Sequence, residues 1–418
     1  MEKVQMENGK WTMENLGYNN RVRKLLFLFP ILLVILLPTY LYFTYPRTNV
    51  LKSTGYFMNK VMHPHANLNK HILGFLPYWR IDDMKYIKPE KLSEINYFGL
   101  HVDSGGNIVK VTNGETDPGW REWDTESMRD FITKTKISGT HFSVTIISQK
   151  NDVTESILDS TTAQTTLTSQ IINLVKENHL NAVNIDFEYL GDADEEYRNK
   201  FTIFAKLLHD ELKEKTPKTE LALSIMPRAA RSQDLFDFPK IVPYFDGFIG
   251  MSYDYYGTSA DVSGPGAPLR GFKDGKYFFD IETTYEDYLK VIPKEKILMG
   301  VPYYGWDRAV TDGPVIMSKT YQPNDERNYA AVTSYGRLRD EIDFKPDNCT
   351  WDDYAESSWC RYTKDGIDHQ VWIEDVKSLG IKYDFAKKQD LAGIAIWTIG
   401  FDKDYPDLWS LIKEKFEK

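Results

Sequence analysis

Only two cysteines, Cys349 and Cys360, occur in 418 residues, and none of the eight histidines joins another, or a cysteine, at metal-ligand spacing. His63 and His65, the nearest pair, lie in a polar stretch and read as solvated side chains. Clustered His/Cys metal sites are thereby excluded, and neither metal nor cofactor is expected. Positive charge is also in deficit: 51 Lys and Arg against 61 Asp and Glu leave a formal net charge of −10, which argues against nucleic acid as a partner. Neither a low-complexity tract nor a short repeat is present.

Long apolar runs are missing with one exception. Residues 25–45, LLFLFPILLVILLPTYLYFTY, carry no charge and are long enough to cross a bilayer as a helix. Arg21, Arg23 and Lys24 precede the run, so residues 1–24 read as a cytoplasmic tail and the rest of the chain as lying outside the membrane. No small-residue cleavage site follows, which favours an uncleaved, single-pass signal anchor over a signal peptide. Pro30 and Pro38 would kink the helix but are tolerated in membrane spans. A buried core helix is the alternative. Residues 46–70 then form a polar stalk, and residues 71–418 the main domain, expected to be monomeric. The two cysteines bracket the segment NCTWDDYAESSWC. If it is a hairpin they can pair across it, closing the loop for about 3 kcal/mol in the chain-entropy model; two free thiols are the other reading.

Apolar residues make up 42% of the chain, enough for a large core. Strand-like segments at 72–79, 97–102, His141–Ser148, 221–227, 247–254, 297–305 and 392–397 alternate with spacers long enough for helices, such as 161–179 and 197–215. That alternation predicts a parallel sheet closed into a (β/α)8 barrel, a TIM barrel, of the α/β class. Residues 307–368 are too long for a simple loop and are expected to form a small inserted α+β subdomain walling one side of a cleft.

The densest chemical signal is the stretch NAVNIDFEY, residues 181–189. Val183, Ile185 and Phe187 alternate with Asn184, Asp186 and Glu188, so a strand sends the two carboxylates to one face. Two adjacent carboxylates in a barrel are costly unless shared, hydrogen-bonded or used, because burial and like charge both raise their pKa values. On this nonapeptide alone a solvated acidic face is an equal alternative.

Together with MSYDYYG, ILMGVPYYGW and GIAIWTIG, in that order, NAVNIDFEY resembles the motif set of the family 18 glycoside hydrolases, over residues 71–415. The fourth-strand motif of that family has the form DxxDxDxE. Within the family, YYGWDR and LAGIAIWTIG look most like the bacterial spore-cortex-lytic branch, which acts on peptidoglycan-derived glycans. The resemblance implies hydrolysis of β-1,4 bonds next to N-acetylglucosamine, in peptidoglycan-type or chitin-type glycans, by a retaining mechanism in which the sugar's own acetamido group is the nucleophile. It implies Glu188 as general acid and base, Asp186 as the group orienting the acetamido, and Tyr253 as donor to its carbonyl. Trp397 would be the floor under the reacting sugar. Asp254, Met251, Asn184, Tyr304, Trp306 and Tyr78 complete the expected substrate-binding set. Asn181 and Asn184 depart from the family motif, standing where its first two aspartates usually are. The departure bears on the pH optimum more than on the acid itself. A non-hydrolytic, carbohydrate-binding barrel is the alternative, although such a relative would be expected to lack the glutamate.

Overall fold

A computed structural model of the chain describes residues 6, 7, 10, 11, 68–232, 234–340 and 349–418. Backbone contacts divide the chain into two units, residues 1–62 and 63–418. In the first, Met6–Glu7 pairs antiparallel with Lys10–Trp11. The expected membrane span at 25–45 lies outside the described residues, as does nearly all of the stalk; among the described residues no helix is long and apolar enough to cross a membrane.

The second unit is built on parallel strands β1 (His71–Pro77), β2 (Glu94–His101), β3 (His141–Ser148), β4 (Ala182–Phe187), β5 (Glu220–Ile225), β6 (Gly247–Gly250) and β7 (Ile297–Pro302). An antiparallel group follows: β8 (Tyr304–Val310), β9 (Ala330–Ser334), β10 (Cys349–Asp352), β11 (Ser357–Lys364) and β12 (Ile367–Ile373). The last parallel strand, β13 (Gly393–Trp397), pairs with both β7 and β1 and closes an eight-stranded barrel. Every residue of β4 is buried, as expected of a strand covered on both faces. The helix that delivers the chain to β4, Thr161–Asn178, is capped by Ser160, whose hydroxyl accepts from the Ala163 N–H, and it buries Leu167, Ile171, Leu174 and Val175. His179 ends it in the left-handed conformation, φ 52°.

Strand β2 starts at Glu94, three residues before the first apolar alternation suggests it. A buried carboxylate is tolerable there because it is paired: His71 Nε2 lies 3.2 Å away and the Ser143 hydroxyl donates to it. Sequence cannot show such a partner, since His71 and Ser143 come from the two flanking strands.

The antiparallel strands form one five-stranded sheet in the order β9-β8-β12-β11-β10, extending from Tyr304 to Ile373. Only Tyr303 separates β7 from β8. Gly305 is required where they join, because a Cβ there would sit 1.6 Å from the Trp372 carbonyl oxygen of β12. Cys349 and Cys360 face each other in the β10–β11 register and are joined as a disulfide.

Where this sheet returns to the barrel, the Glu374 carboxylate accepts from Lys382 Nζ at 2.6 Å, and both side chains are out of water. Truncating one partner strands the other charge. Lys382→Ala is expected to cost about 3–5 kcal/mol, whereas Lys382→Met combined with Glu374→Leu should be close to neutral. Urea unfolding midpoints distinguish the two; an equal loss in both variants would refute this account of the pair.

Candidate active site

A parallel barrel gathers the C-terminal ends of its strands at one mouth, where a cavity of about 760 Å³ opens. Asp186 (β4), Glu188 (directly after β4), Met251, Tyr253 and Asp254 (after β6), and Trp397 (β13) all line it. Trp397 lies nearly parallel to Tyr253, ring centroids 6.2 Å apart at 16°, and takes Phe75 and Phe98 edge-on at 5.4 and 4.7 Å. These rings make a firm apolar floor beside the carboxylates.

Asp186 is 2% exposed, and its pKa is raised well above the carboxylate range, first by burial and then by the negative charge of Glu188, with the Ser224 hydroxyl pulling it back. Its Oδ1 has no partner among the described protein atoms. Glu188, less enclosed, accepts from Gln149 Nε2 at 2.9 Å. Burial, then Asp186, Asp254 and Glu188, lift the Tyr253 phenol far above its usual value, so it stays a neutral hydroxyl.

Four of the expected substrate-binding residues stand behind the cavity surface. Asp254 has a left-handed backbone, φ 57°, and its Oδ1 accepts from Tyr304 Oη at 2.7 Å and Trp306 Nε1 at 2.8 Å. Tyr304 and Trp306 therefore hold Asp254 in place instead of forming the cavity's wall, although Trp306 lines an adjoining hollow with Asp254 and Phe278. Tyr78 packs edge-on against Trp79 at 4.7 Å, and Trp79, 51% exposed, is the one that reaches the cavity. The chain turns into 3₁₀ helix at Tyr78, so neither strand nor helix periodicity indicates which of the neighbouring aromatics faces the mouth.

Asn184 is the fourth, 1% exposed and inside the barrel. Its Nδ2 donates to Thr145 Oγ1 at 3.1 Å and to Ser224 Oγ at 2.9 Å. Thr145 in turn donates to Asn96 Oδ1 at 2.5 Å, Asn96 Nδ2 to Ser143 Oγ at 2.7 Å, and Ser143 to Glu94. A polar chain thus runs up the barrel from Glu94 to Asn184. Because Ser224 accepts from Asn184, its own hydrogen is free for Asp186. An ionised aspartate at 184 could only accept; the amide supplies the donors this chain needs, which gives the departure from the family motif a physical reason.

Gln149, Ser224, Phe75 and Phe98 belong to the site and were not singled out in the sequence. Gln149 carried a weak signal, a polar residue directly after a β-branched strand; the others are ordinary strand residues until the barrel closes. Among the described residues no group of His, Cys, Asp and Glu could hold a metal ion.

A barrel with a carboxylate pair at its mouth and an aromatic floor is the build of a glycoside hydrolase, and the comparisons agree. The sequence profile of the glycosyl hydrolases family 18 matches residues 52–402, and the chain belongs to that family. Among its relatives is YdhD of Bacillus subtilis (strain 168), carrying the name of a sporulation-specific glycosylase, 27% identical over 331 residues that make up 77% of this chain and 69% of that protein. The spore cortex-lytic enzyme SleL of Bacillus megaterium QM B1551 has a similar structure, with TM-score 0.62 and 21% identity over 84% of this chain and 75% of its own. So does the group IV chitinase of Ostrinia furnacalis in complex with allosamidin, with TM-score 0.68 and 18% identity over 83% of this chain and 98% of its own. At these identities the two structures establish likeness of fold.

Proposed function

We propose that this glycoside hydrolase cleaves β-1,4 bonds next to N-acetylglucosamine, in peptidoglycan-type or chitin-type glycans, with retention and with the substrate's acetamido oxygen as nucleophile. The observation that carries the reading is the pairing of a buried Asp186, one oxygen unpartnered, with an accessible Glu188 above the Trp397 floor. Protonated Glu188 donates to the glycosidic oxygen as the acetamido oxygen bonds to the anomeric carbon and the leaving sugar departs. Asp186 accepts from the acetamido N–H, and the Tyr253 hydroxyl donates to the carbonyl oxygen. The positive charge of the resulting oxazolinium ion is stabilised by Asp186, whose own pKa that cation lowers. Glu188, now a carboxylate, takes a proton from the water that attacks the anomeric carbon and reopens the ring. One water is consumed and the β configuration returns. Incubating residues 47–418 with chito-oligosaccharides and with peptidoglycan fragments, and reading products by mass spectrometry, tests the reading. Absence of new N-acetylglucosamine ends in both would reject it.

The same proposal includes an N-terminal signal anchor at residues 25–45, holding a monomeric catalytic domain on the wall-facing side of the membrane; the uncharged run behind Arg21, Arg23 and Lys24 supports it. Deleting residues 1–46 is expected to release a soluble, active enzyme while the full chain sediments with membranes. Co-sedimentation of the truncated protein would overturn the anchor.

A further inference from the structure

The cavity has two unlike halves. Strands β13, β1 and β2 supply the aromatic half, with Trp397, Phe75, Trp79 and Phe98. In an eight-stranded ring β5 lies across from β1, and the segments after β5 and β6 supply the other half, with Arg228, Ser232 and Phe278. Arg228 is the one cation among the described residues lining the cavity. It is exposed and makes no ion pair among the described residues; its guanidinium lies 5.7 Å from the Phe279 ring centroid. Its neighbour Arg231 differs: Nε meets Asp287 Oδ2 at 2.6 Å, so that charge is already matched. The backbone under Arg228 is fixed, its carbonyl oxygen accepting from the N–H groups of Arg231 and Ser232 at 2.8 and 2.9 Å and from the Ser232 hydroxyl at 3.0 Å. Phe278 is 52% exposed, and its N–H is tied to Tyr256 Oη at 3.1 Å.

The direction of the leaving group rests on the proposed hydrolysis. In that reaction the attacked sugar lies on Trp397, and Glu188, directly after β4, protonates the oxygen on the sugar's far side. The one cation among the described lining residues, Arg228, together with Phe278, marks the side we assign to the departing sugar. We infer that this half binds a leaving sugar carrying a carboxylate on its substituent, the ring resting on Phe278 and the carboxylate meeting Arg228, so that the substrate class is muramic-acid-containing peptidoglycan glycan and not neutral chitin. Arginine is suited to the task, since a guanidinium presents paired N–H donors to a carboxylate. Burial also raises the pKa of Asp186 and Asp254 above the usual carboxylate range and that of Asp234 to about 6.

The test compares four oligosaccharides: N-acetylglucosaminyl-N-acetylmuramic acid repeats with the lactyl carboxylate free, the same with it methyl-esterified, the same with it amide-linked to a stem peptide, and chitotetraose. With wild-type protein, kcat/KM is expected to be highest on a carboxylate-bearing substrate. R228Q should lower the acid-to-ester ratio about tenfold, with partial recovery in R228K. Loss confined to the free lactyl form assigns the contact to that carboxylate; loss confined to the peptide-linked form assigns it to the peptide. F278A should weaken acid and ester alike, because stacking is indifferent to the charge. Equal kcat/KM on acid and ester in the wild type, or an equal fall on both in R228Q, would overturn the inference while leaving the hydrolase intact. Calorimetric binding to E188Q protein reads the same preference without turnover: preferential binding of the acid with no hydrolysis by wild type would reject the proposed reaction instead, and equal binding would reject the inference.

Discussion

Replacing Glu188 by Gln is expected to lower kcat by about 10²–10⁴-fold, equivalent to about 3–5 kcal/mol of transition-state stabilisation, with little change in glycan binding. The amide keeps the shape of the side chain and its place opposite Gln149 Nε2, but it has no proton to give the glycosidic oxygen and none to take from water. Because Glu188 reaches the cavity and is not part of the barrel's interior packing, the thermal midpoint should stay within a few degrees of wild type. Kinetics on a purified oligosaccharide, alongside calorimetric binding, separate the two effects. A variant that still turns over at near wild-type rate would remove Glu188 from the chemistry.

A comparable loss is expected when the substrate, and not the enzyme, is altered. If the nucleophile is the acetamido oxygen, glycans de-N-acetylated at the cleaved position should bind and remain nearly unhydrolysed, and thiazoline analogues of the bicyclic intermediate should inhibit strongly. Asp186→Asn should also slow the reaction severely, about 10²-fold or more, since an amide cannot balance the oxazolinium charge. Its cost to folding should be small: Asp186 Oδ1 has no partner among the described residues, and the pKa of the group is already raised by burial and by Glu188. NMR of the first-formed product should show the β anomer. The α anomer appearing first, or equal rates on acetylated and de-acetylated glycans, would exclude substrate assistance at this site.

Local pattern fixes some elements of this fold and barrel closure fixes others. The alternation of apolar and polar residues in 181–189 already puts Asn184 and Asp186 on one face, and the same period marks His141–Ser148 as a strand to the residue. Helix Thr161–Asn178 is legible because Ile171, Ile172, Leu174 and Val175 form a stripe at helical spacing, and all four are buried. Such signals survive in sequence because they depend on neighbours within a few residues. The start of β2 at Glu94 was hidden because His71 and Ser143, on its two flanking strands, neutralise the charge.

The residues around the carboxylates divide in the same way. Sequence by itself determined that Asp186 and Glu188 share one face at the end of an apolar strand and that aromatic residues cluster after the later strands. Only the closed barrel decided which of these face the cavity. Trp79 reaches it while Tyr78 packs aside, and Tyr304 and Trp306 turn their polar atoms to Asp254. Asn184 feeds Thr145 and Ser224 from the interior, and Arg228 makes no ion pair among the described residues while Arg231 is matched by Asp287. Most of these outcomes depend on contacts between residues distant in the chain, and the direction of a side chain at a strand end is set by what packs against it, which period and composition do not encode.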